Sequence, residues 1–328
     1  MKSLGDIGER AAIRRIAEIL TKDTNSIGIG DDCAAIDFGN EYLLITSDSM
    51  YQRTHIPIQM TPYQMGWFVV AINLSDIAAK GGTPRGLVLS FGFPKHTSEQ
   101  FFTQVIRGAD ACAVAFGTTI VGGDTKEMQE ITLCGTAFGT VKKAEFMSRS
   151  GVHPGDVVAV TGTLGKAGAG YYALNHRISE KKLFKAFFEP LPRLKEGQLL
   201  AKQHSVTSSM DLSDGLSASL YQLQEINNVG FEIQKTALPL AVELRLLQRK
   251  NKDVDLDSIA LHFGGDYELL VTMSAEAYEK AQKLLRKHGR NLTRIGMVTK
   301  KKNIVVFDGE KKWILKNKGY EHFKKHFL

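Results

Sequence analysis

Cysteine and proline are scarce in this chain, and the small number of cysteines excludes several classes of protein. The 328 residues include three cysteines, at positions 33, 112 and 134, and 8 prolines. An odd number of cysteines with no Cys-x-x-Cys pair argues against a disulfide framework and against a cysteine-based zinc site. The expected location is therefore a reducing compartment, the cytoplasm.

Long apolar runs are also missing. The longest clean run, residues 67–74, is far shorter than the ~20 residues that a membrane-spanning helix needs. The N-terminal residues mix acidic and basic side chains in a helical pattern, without the apolar core of a signal peptide. The sequence predicts no membrane partner.

The familiar nucleotide-binding and hydrolase signatures are absent. Lys166 follows Gly165, but the segment has neither the spacing nor the Ser/Thr of a Walker P-loop. Gly28 and Gly30 are not followed by the third glycine of a dinucleotide fingerprint, and there is no protein-kinase motif set. Nine histidines are scattered, and no Gly-x-Ser-x-Gly elbow occurs. P-loop enzymes, protein kinases, Rossmann dehydrogenases and serine hydrolases are therefore disfavoured.

The charge balance is basic, at +7, and the excess is concentrated near the C-terminus. Lysine-rich ends are typical of solvated surfaces, and no RNA- or DNA-binding signature accompanies this one. We therefore predict no nucleic-acid partner. The competing hypothesis is a nucleic-acid-binding or scaffold protein that uses these lysines, which would show salt-sensitive RNA binding. The lysines in question are at positions 300, 301, 302, 311, 312, 316, 318, 324 and 325.

The pattern of apolar residues predicts an α+β fold. Several consecutive strands have no room for a crossover helix between them, which favours mixed or antiparallel sheets over a doubly wound parallel sheet. A turn-rich segment near residue 150 separates two predicted mixed-sheet domains, 1–147 and 148–328. Helices are predicted at 7–22, 62–80, 99–116, 164–175, 194–203, 215–226 and 275–288, and strands at 42–46, 86–93, 119–121, 131–141, 157–161, 232–234, 268–273 and 304–307.

Aspartates recur in short contexts rich in glycine or serine, most of them directly after an apolar stretch. Any one of these motifs alone resembles a helix cap or a turn. Caps and turns do not explain five such motifs in one chain. Some of them contain two carboxylates, which repel one another unless a cation neutralises them. Oxygen-only ligands favour Mg²⁺, bound together with substrate phosphates. The residues are Asp31, Asp32, Asp48, Asp76, Asp124, Asp211 and Asp214.

The ordered set of these motifs resembles the thiamine-monophosphate kinase family and covers nearly the whole chain. The resemblance implies two domains of the aminoimidazole ribonucleotide synthetase-like type, with the dimer interface and most of the aspartates in the first. It also implies a homodimer that uses ATP and Mg²⁺ to phosphorylate thiamine monophosphate to thiamine diphosphate by direct in-line transfer. The motifs that carry it are Ile29–Ala34, Thr46–Asp48, Asn73–Ala79, Gly122–Thr125, Ser148–Gly151, Val160–Gly165, Met210–Leu216, Gly264–Leu270 and Gly319–Phe323.

The resemblance also implies roles for individual residues. Asp76, Asp124 and Arg149 are implied as catalytic, and His55 and Tyr320 as contacts of the thiamine substrate. ATP contacts are implied for Gly123, Asp124, Arg149 and Ser213. Mg²⁺ ligands are implied at Asp31, Thr46, Ser47, Asp48, Asp76, Asp124, Asp211 and Asp214.

Some positions depart from the family pattern. Gly265 stands where the family usually has Glu, Lys166 stands where Asp is common, and Gln52-Arg53-Thr54 replaces the usual Glu-Gly-Val. The departures concern the substrate pocket more than the metal ligands. A sister ATP-dependent synthetase acting on another small phosphorylated metabolite therefore stays the alternative function.

Overall fold

The chain forms two mixed β-sheets with helices packed on them, which confirms the predicted α+β class. The structure is a computed structural model that describes residues 2–21, 26–178 and 180–324. The strands of the first sheet lie between residues 26 and 142, and those of the second between 157 and 314. The predicted domain boundary at 147/148 falls in the connection between the two sheets. In the part of the chain that the structure describes, no helix is long and apolar enough to cross a bilayer.

The first sheet has six strands in the order β1-β2-β3-β6-β4-β5. Only β4 and β5 pair in parallel, because a helix crosses between them. The strands are β1 (Ser26–Ile27), β2 (Ala34–Phe38), β3 (Glu41–Tyr51), β4 (Thr83–Phe93), β5 (Ile120–Glu127) and β6 (Thr132–Lys142). The helices of this half are α1 (Leu4–Ile7), α2 (Glu9–Ile19), α3 (Gln52–His55), α4 (Pro62–Ala79) and α5 (Glu99–Ala115).

Every second side chain of β6 is buried beneath the helices, and the alternate ones face outward. Leu133, Ala137 and Val141 lie on the inner face, whereas Cys134 and Thr136 are only half-buried on the outer one. This period of two is what a sheet covered on one side requires. The outer face of the first sheet is thus left accessible in the single chain.

Helix α4 is the central element of the molecule. Thr61 caps it through a capping box with Gln64, and Pro62 occupies the first turn, where its missing N–H costs nothing. The helix crosses α5 at two glycines. A Cβ on Gly66 would lie 1.8 Å from the Val105 carbonyl oxygen, and one on Gly108 would lie 1.8 Å from that of Tyr63. Only glycine allows the two backbones to approach so closely.

The second sheet has seven strands in the order β13-β12-β9-β11-β7-β10-β8. Its strands are β7 (Val157–Thr161), β8 (Val206–Asp211), β9 (Gly230–Gln234), β10 (Leu269–Met273), β11 (Leu292–Thr299), β12 (Ile304–Asp308) and β13 (Lys311–Ile314). Its helices are α6 (Lys166–Asn175), α7 (Lys181–Phe188), α8 (Leu194–Ala201), α9 (Leu216–Asn227), α10 (Val242–Lys250), α11 (Leu256–His262) and α12 (Ala275–Lys287). One apolar core runs from Val69 of α4 to Val157 and Leu269 of the second sheet, so α4 lies between the two halves.

Each predicted helix and strand overlaps an element of the structure, with shifted ends. The predicted helix at 7–22 is interrupted at Gly8, which has φ +79°; its last predicted residue, Lys22, lies outside the described residues. The strand predicted at 119–121 runs on to Glu127, so Asp124 is within a strand and not at its end. Strands β1, β2, β8, β11 and β13 and helices α3, α7, α10 and α11 were not predicted.

Candidate active site

Three aspartates from distant parts of the chain converge between the two halves. One carboxylate oxygen each of Asp32, Asp76 and Asp211 lies within 4.8 Å of the other two. Asp32 precedes β2, Asp76 lies near the end of α4, and Asp211 is the last residue of β8. Since α4 packs on the first sheet and β8 belongs to the second, the cluster forms only when both halves are in place.

Hydroxyl groups orient two of these carboxylates. Thr46 Oγ1, on β3, donates to Asp76 Oδ2 at 2.5 Å, and Ser75 Oγ donates to Asp211 Oδ2 at 2.6 Å. One turn earlier in α4, the Asn73 side chain accepts the backbone N–H of Asp48 at 3.0 Å. The Asn-Leu-Ser-Asp motif of α4 thus contacts β3 through one residue and β8 through another.

The cluster carries more negative charge than its protein surroundings neutralise. Burial, followed by repulsion from Asp48, Asp211 and Asp32, raises the pKa of Asp76 well above its ordinary value. Burial and the charge of Asp32 likewise raise the pKa of Asp211 to about 7. The side chain of Asp48 is accessible to solvent. Desolvation by the surrounding protein, together with the charge of Asp32, raises the pKa of Asp48 as well. A cation bound here would relieve this repulsion.

Asp31 and Asp32, in contrast, are paired with cations of the chain itself. Lys80 Nζ donates to Asp31 Oδ1 at 2.5 Å and lies 2.7 Å from Asp32 Oδ2. Arg149 donates through Nε to Asp32 Oδ1 at 3.1 Å, and its backbone N–H donates to Asp31 Oδ2 at 3.0 Å. Burial opposes ionisation of Asp32, but Arg149 and Lys80 lower its pKa overall. The family resemblance implies no metal-binding role for Asp32, so only the structure places it in the cluster.

Asp214 and Ser213 form the wall of the site on the side of α9. Burial is the main cause that raises the pKa of Asp214 to about 6. Its backbone carbonyl accepts the N–H of Tyr320 at 3.1 Å. Ser213 has an exposed side chain, and its carbonyl accepts the Gly265 N–H at 2.8 Å. The loop 264–266 therefore packs directly against the predicted ATP contact.

Asp266 serves the fold and not the aspartate cluster. Its carboxylate accepts the backbone N–H groups of Gly165 at 2.6 Å and Ala167 at 3.0 Å, at the first turn of α6. Burial, offset in part by these hydrogen bonds, raises its pKa to about 6. Gly265 beside it has φ +87°, a backbone conformation that residues with a side chain rarely adopt. The departure from Glu at this position therefore coincides with a left-handed backbone.

The predicted substrate contacts meet at the mouth of the site. The His55 and His322 rings are 5.3 Å apart between centroids, and the Tyr320 hydroxyl lies 3.2 Å from His322 Nδ1. His322 donates its backbone N–H to Glu9 Oε2 at 3.0 Å. Burial and the neighbouring His322 lower the pKa of His55. Glu9 and His322 had no predicted role, because only the fold brings the two ends of the chain together.

Asp124 and Ser47 lie on the outer face of the first sheet. Asp124 pairs in register with exposed Ser90, one residue beyond buried Leu89. The Asp124 side chain is 55% exposed and forms an ion pair with Lys126 at 3.2 Å. Ser47 lies on the same face and donates to the Gly135 carbonyl at 3.1 Å. Within a single chain these two predicted metal ligands, and Gly123 beside them, are not brought to the Asp76 cluster.

The donor set at the cluster fits Mg²⁺. All the groups are carboxylates or hydroxyls, which are the hard oxygen ligands that Mg²⁺ prefers, and the uncompensated charge is negative. A separate groove of about 490 Å³, near Lys235, Leu240 and Arg245, shares no residue with the cluster.

The chain matches two family models along most of its length. Residues 30–141 match the AIR synthase related protein, N-terminal domain, and residues 153–309 match the corresponding C-terminal domain. The fold and the site thus define an AIR synthase related protein.

The particular family follows from the curated relatives. The thiamine-monophosphate kinase of Methanospirillum hungatei is 35% identical over 311 residues, covering 94% of this chain and 98% of the relative. That of Pyrococcus horikoshii is 32% identical over 311 residues, covering 94% and 95%. The chain belongs to the thiamine-monophosphate kinase family, which confirms the resemblance seen in its motifs.

Solved structures agree with this assignment. The structure of AaThiL complexed with AMPPCP and TMP matches with a TM-score of 0.87 and 27% identity, covering 98% of this chain and 99% of that one. The thiamine-monophosphate kinase of Stenotrophomonas maltophilia matches with a TM-score of 0.77 and 30% identity, covering 91% and 95%. The HypE structure from Escherichia coli, at 21% identity and a TM-score of 0.71, shares the fold.

Proposed function

We propose that this protein transfers the γ-phosphoryl group of ATP to the phosphate of thiamine monophosphate, giving ADP and thiamine diphosphate. The observation that carries the proposal is the convergence of Asp32, Asp76 and Asp211 from both halves of the chain into one buried, under-neutralised cluster. Two further observations support it: the relatives are named thiamine-monophosphate kinases, and the AaThiL structure contains AMPPCP and TMP.

The transfer needs positioning and charge neutralisation more than a strong base. The acceptor is a phosphate monoester whose second pKa is about 6, so its attacking oxygen is already ionised near neutral pH. That oxygen forms a bond to the γ-phosphorus as the bond to the bridging oxygen of ADP breaks, in line. When bound, Mg²⁺ neutralises the phosphate oxygens. The lowered pKa of His55 keeps its ring neutral near pH 7, which suits a substrate contact.

In this proposal Arg149 stabilises the transferred phosphoryl group. Its guanidinium is held by Asp32 and by Gln222 Oε1, which accepts from Nη1 at 3.0 Å. Its side chain keeps 16% of its surface exposed. A preorganised guanidinium of this kind loses little entropy when charge develops on the phosphoryl oxygens.

The residue roles implied by the motifs are part of this proposal. Asp76 and Asp124 act with Arg149 in catalysis, and His55 and Tyr320 contact the thiamine substrate. Gly123, Asp124, Arg149 and Ser213 contact ATP. The proposed Mg²⁺ ligands are Asp31, Thr46, Ser47, Asp48, Asp76, Asp124, Asp211 and Asp214, to which the geometry adds Asp32.

We further propose that the protein is a homodimer built on the outer face of the first sheet. Asp124 lies on that face, apart from the cluster, and apolar Val88 and Val121 beside it are 38% and 55% exposed. A second copy packed there would bury this surface and bring Asp124 of one chain toward a site of the other. A cytoplasmic location, where ATP is supplied and the three free cysteines stay reduced, completes the proposal.

A coupled assay of ADP release tests the reaction. The purified protein is supplied with ATP, Mg²⁺ and thiamine monophosphate, and the controls replace the acceptor with thiamine, formylglycinamidine ribonucleotide or selenide. We expect turnover with thiamine monophosphate only. ADP release with one of the other acceptors and none with thiamine monophosphate would assign the chain to a sister synthetase.

A further inference from the structure

Lys80 is a fully buried lysine at the edge of the candidate active site. It follows the last residue of α4, and its side chain is 0% exposed. Its ammonium donates to Asp31 Oδ1 at 2.5 Å and to the Ser209 carbonyl oxygen at 2.9 Å, and lies 2.7 Å from Asp32 Oδ2. Lysine is almost never buried to this extent unless it is paired, so these contacts hold a charge inside the protein.

The ammonium is surrounded by oxygen atoms in the way that a bound cation is. The three oxygens come from the loop before β2 and from β8, which belong to different halves of the molecule. Burial opposes its charge, but Asp32 and Asp31 more than offset that effect and raise the Lys80 pKa. The two carboxylates in contact with Lys80 thus favour its charged ammonium form.

Asp31, in consequence, has both carboxylate oxygens engaged by donors of the chain. Oδ1 accepts from Lys80 Nζ and from the Asp32 N–H at 2.9 Å. Oδ2 accepts from Ser148 Oγ and from the Arg149 N–H, both at 3.0 Å. Asp76 and Asp211, by comparison, are each oriented by one hydroxyl and, among the described residues, form no ion pair like those that Lys80 and Arg149 form with Asp31 and Asp32. The acidic site is thus divided into a neutralised half and a half that still needs a cation.

We propose that Lys80 is a built-in cation that takes the place of a metal ion between Asp31 and Asp32, leaving metal binding to the side of Asp76 and Asp211. Lys80 is a positioning residue: it holds the Asp31–Asp32 turn so that Asp32 can orient Arg149. The inference rests on the proposed Mg²⁺-dependent phosphoryl transfer and specifies which part of the acidic site binds the metal. It also reassigns Asp31 from a metal ligand to the partner of Lys80.

The first test counts metal ions in Lys80→Met, whose side chain is of similar length but uncharged. Binding of Mn²⁺ to the full-length protein is measured by calorimetry and by electron paramagnetic resonance of the free ion. We expect Lys80→Met to bind one Mn²⁺ more per chain than the wild type. In EDTA it should melt lower than the wild type, and Mg²⁺ should restore more of its stability than the wild type gains. An unchanged Mn²⁺ count in the folded variant would overturn the proposal.

The control is Lys143→Met. Lys143 forms an exposed ion pair with Asp37 at 2.5 Å, and neither residue belongs to the cluster. Its loss should change neither the Mn²⁺ count nor the Mg²⁺ dependence of melting. This variant separates the loss of any lysine from the loss of Lys80.

Two further variants keep the proposal testable if Lys80→Met does not fold. Asp31→Asn should bind as many Mn²⁺ ions as the wild type, whereas Asp211→Asn should bind one fewer. The double variant Lys80→Met/Asp31→Asn, which removes both buried charges, should match the wild-type count. Loss of one ion in Asp31→Asn would show that Asp31 is a metal ligand and would refute the inference. ADP release by the wild type is measured in a separate assay. If that assay shows no turnover while the Mn²⁺ counts of the variants are as expected, only the proposed reaction is contradicted.

Discussion

Ser75 and Asp211 join the two halves of the molecule through one short hydrogen bond. Ser75 Oγ, on helix α4, donates to Asp211 Oδ2, at the end of strand β8, across 2.6 Å, and both residues are buried. The hydroxyl favours the ionised carboxylate and lowers the pKa of Asp211, against the larger opposing effect of burial. One of the contacts between the two halves and the charge state of a proposed metal ligand therefore depend on the same hydroxyl group.

Removing that hydroxyl is expected to weaken metal binding. Ser75→Ala raises the pKa of Asp211 further, so a larger fraction is protonated at pH 7 and Mg²⁺ affinity falls by about tenfold, the effect of one hydrogen bond to a charged group. The activity profile should shift to higher pH. Ser219→Ala is the matched control, since the buried Ser219 hydroxyl has no hydrogen-bond partner in the described structure. Equal Mg²⁺ affinity in Ser75→Ala and wild type would contradict the prediction.

Neutralising Asp76 is expected to abolish activity and stabilise the metal-free fold. Asp76→Asn removes a charge that Asp48, Asp211 and Asp32 repel, so the melting temperature in EDTA should rise while ADP release falls at least ~100-fold. Asp37→Asn, at an exposed ion pair remote from the cluster, should leave ADP release unchanged. Normal turnover of Asp76→Asn would remove Asp76 from the proposed set of metal ligands.

The homodimer proposal predicts that two inactive variants complement each other. Asp124→Asn alters an exposed side chain, so its melting temperature should stay close to wild type although its activity is lost. If each site combines Asp124 of one chain with Asp76 of the other, a co-refolded equal mixture of Asp124→Asn and Asp76→Asn should recover roughly a quarter of wild-type activity. Recovery of none would show that the two residues do not act across a dimer.

The cluster at the mouth of the site is expected to govern affinity for the thiamine substrate. His55→Ala removes the ring beside His322 and should raise the KM for thiamine monophosphate about tenfold, with kcat and the KM for ATP nearly unchanged. His96→Ala, at an exposed turn, is the control. An equal rise of the KM for ATP would move His55 from the thiamine side of the cleft to the nucleotide side.

The raised carboxylate pKa values predict an unusual pH dependence of stability without metal. Asp211, with a folded pKa of about 7, binds more protons in the folded than in the unfolded protein above about pH 4, so stability falls as pH rises. In EDTA the melting temperature should drop between pH 5 and 8, by roughly 2–4 °C for each kcal/mol lost. Mg²⁺ should largely abolish the drop, and Asp211→Asn should reduce it. A melting temperature in EDTA that stays level over this range would show that the cluster is not under-neutralised.

Much of the site was predictable because its parts are local. The Asn-Leu-Ser-Asp motif lies on one helix whose cap and apolar residues are visible in the sequence, and Asp76 followed from it. Residue type alone indicated oxygen ligands and therefore Mg²⁺ and phosphate chemistry. The family match then supplied the substrate, which composition does not specify.

Other features depended on contacts between distant residues. From the sequence alone, Lys80 is expected to be an ordinary solvent-exposed lysine at the end of a helix. Only tertiary packing places its ammonium beside Asp31, 49 residues away in the sequence. Adjacent Asp31 and Asp32 look equivalent in the sequence, and both contact Lys80, yet Asp31 also accepts from Ser148 whereas Asp32 lies in the cluster with Asp76 and Asp211. No local sequence pattern distinguishes Asp31 from Asp32, because the two differ only in the directions in which their side chains point.

The sequence by itself determined the α+β class, the family and the chemical type of the site, since these depend on periodicity, residue type and motif order. The tertiary structure decided which carboxylates share a space, which are neutralised by the chain's own cations, and that Asp124 lies on the outer face of a sheet. These features depend on the distances between charged groups and on how deeply the groups are buried. Distance and burial together determine electrostatic energies in a protein interior.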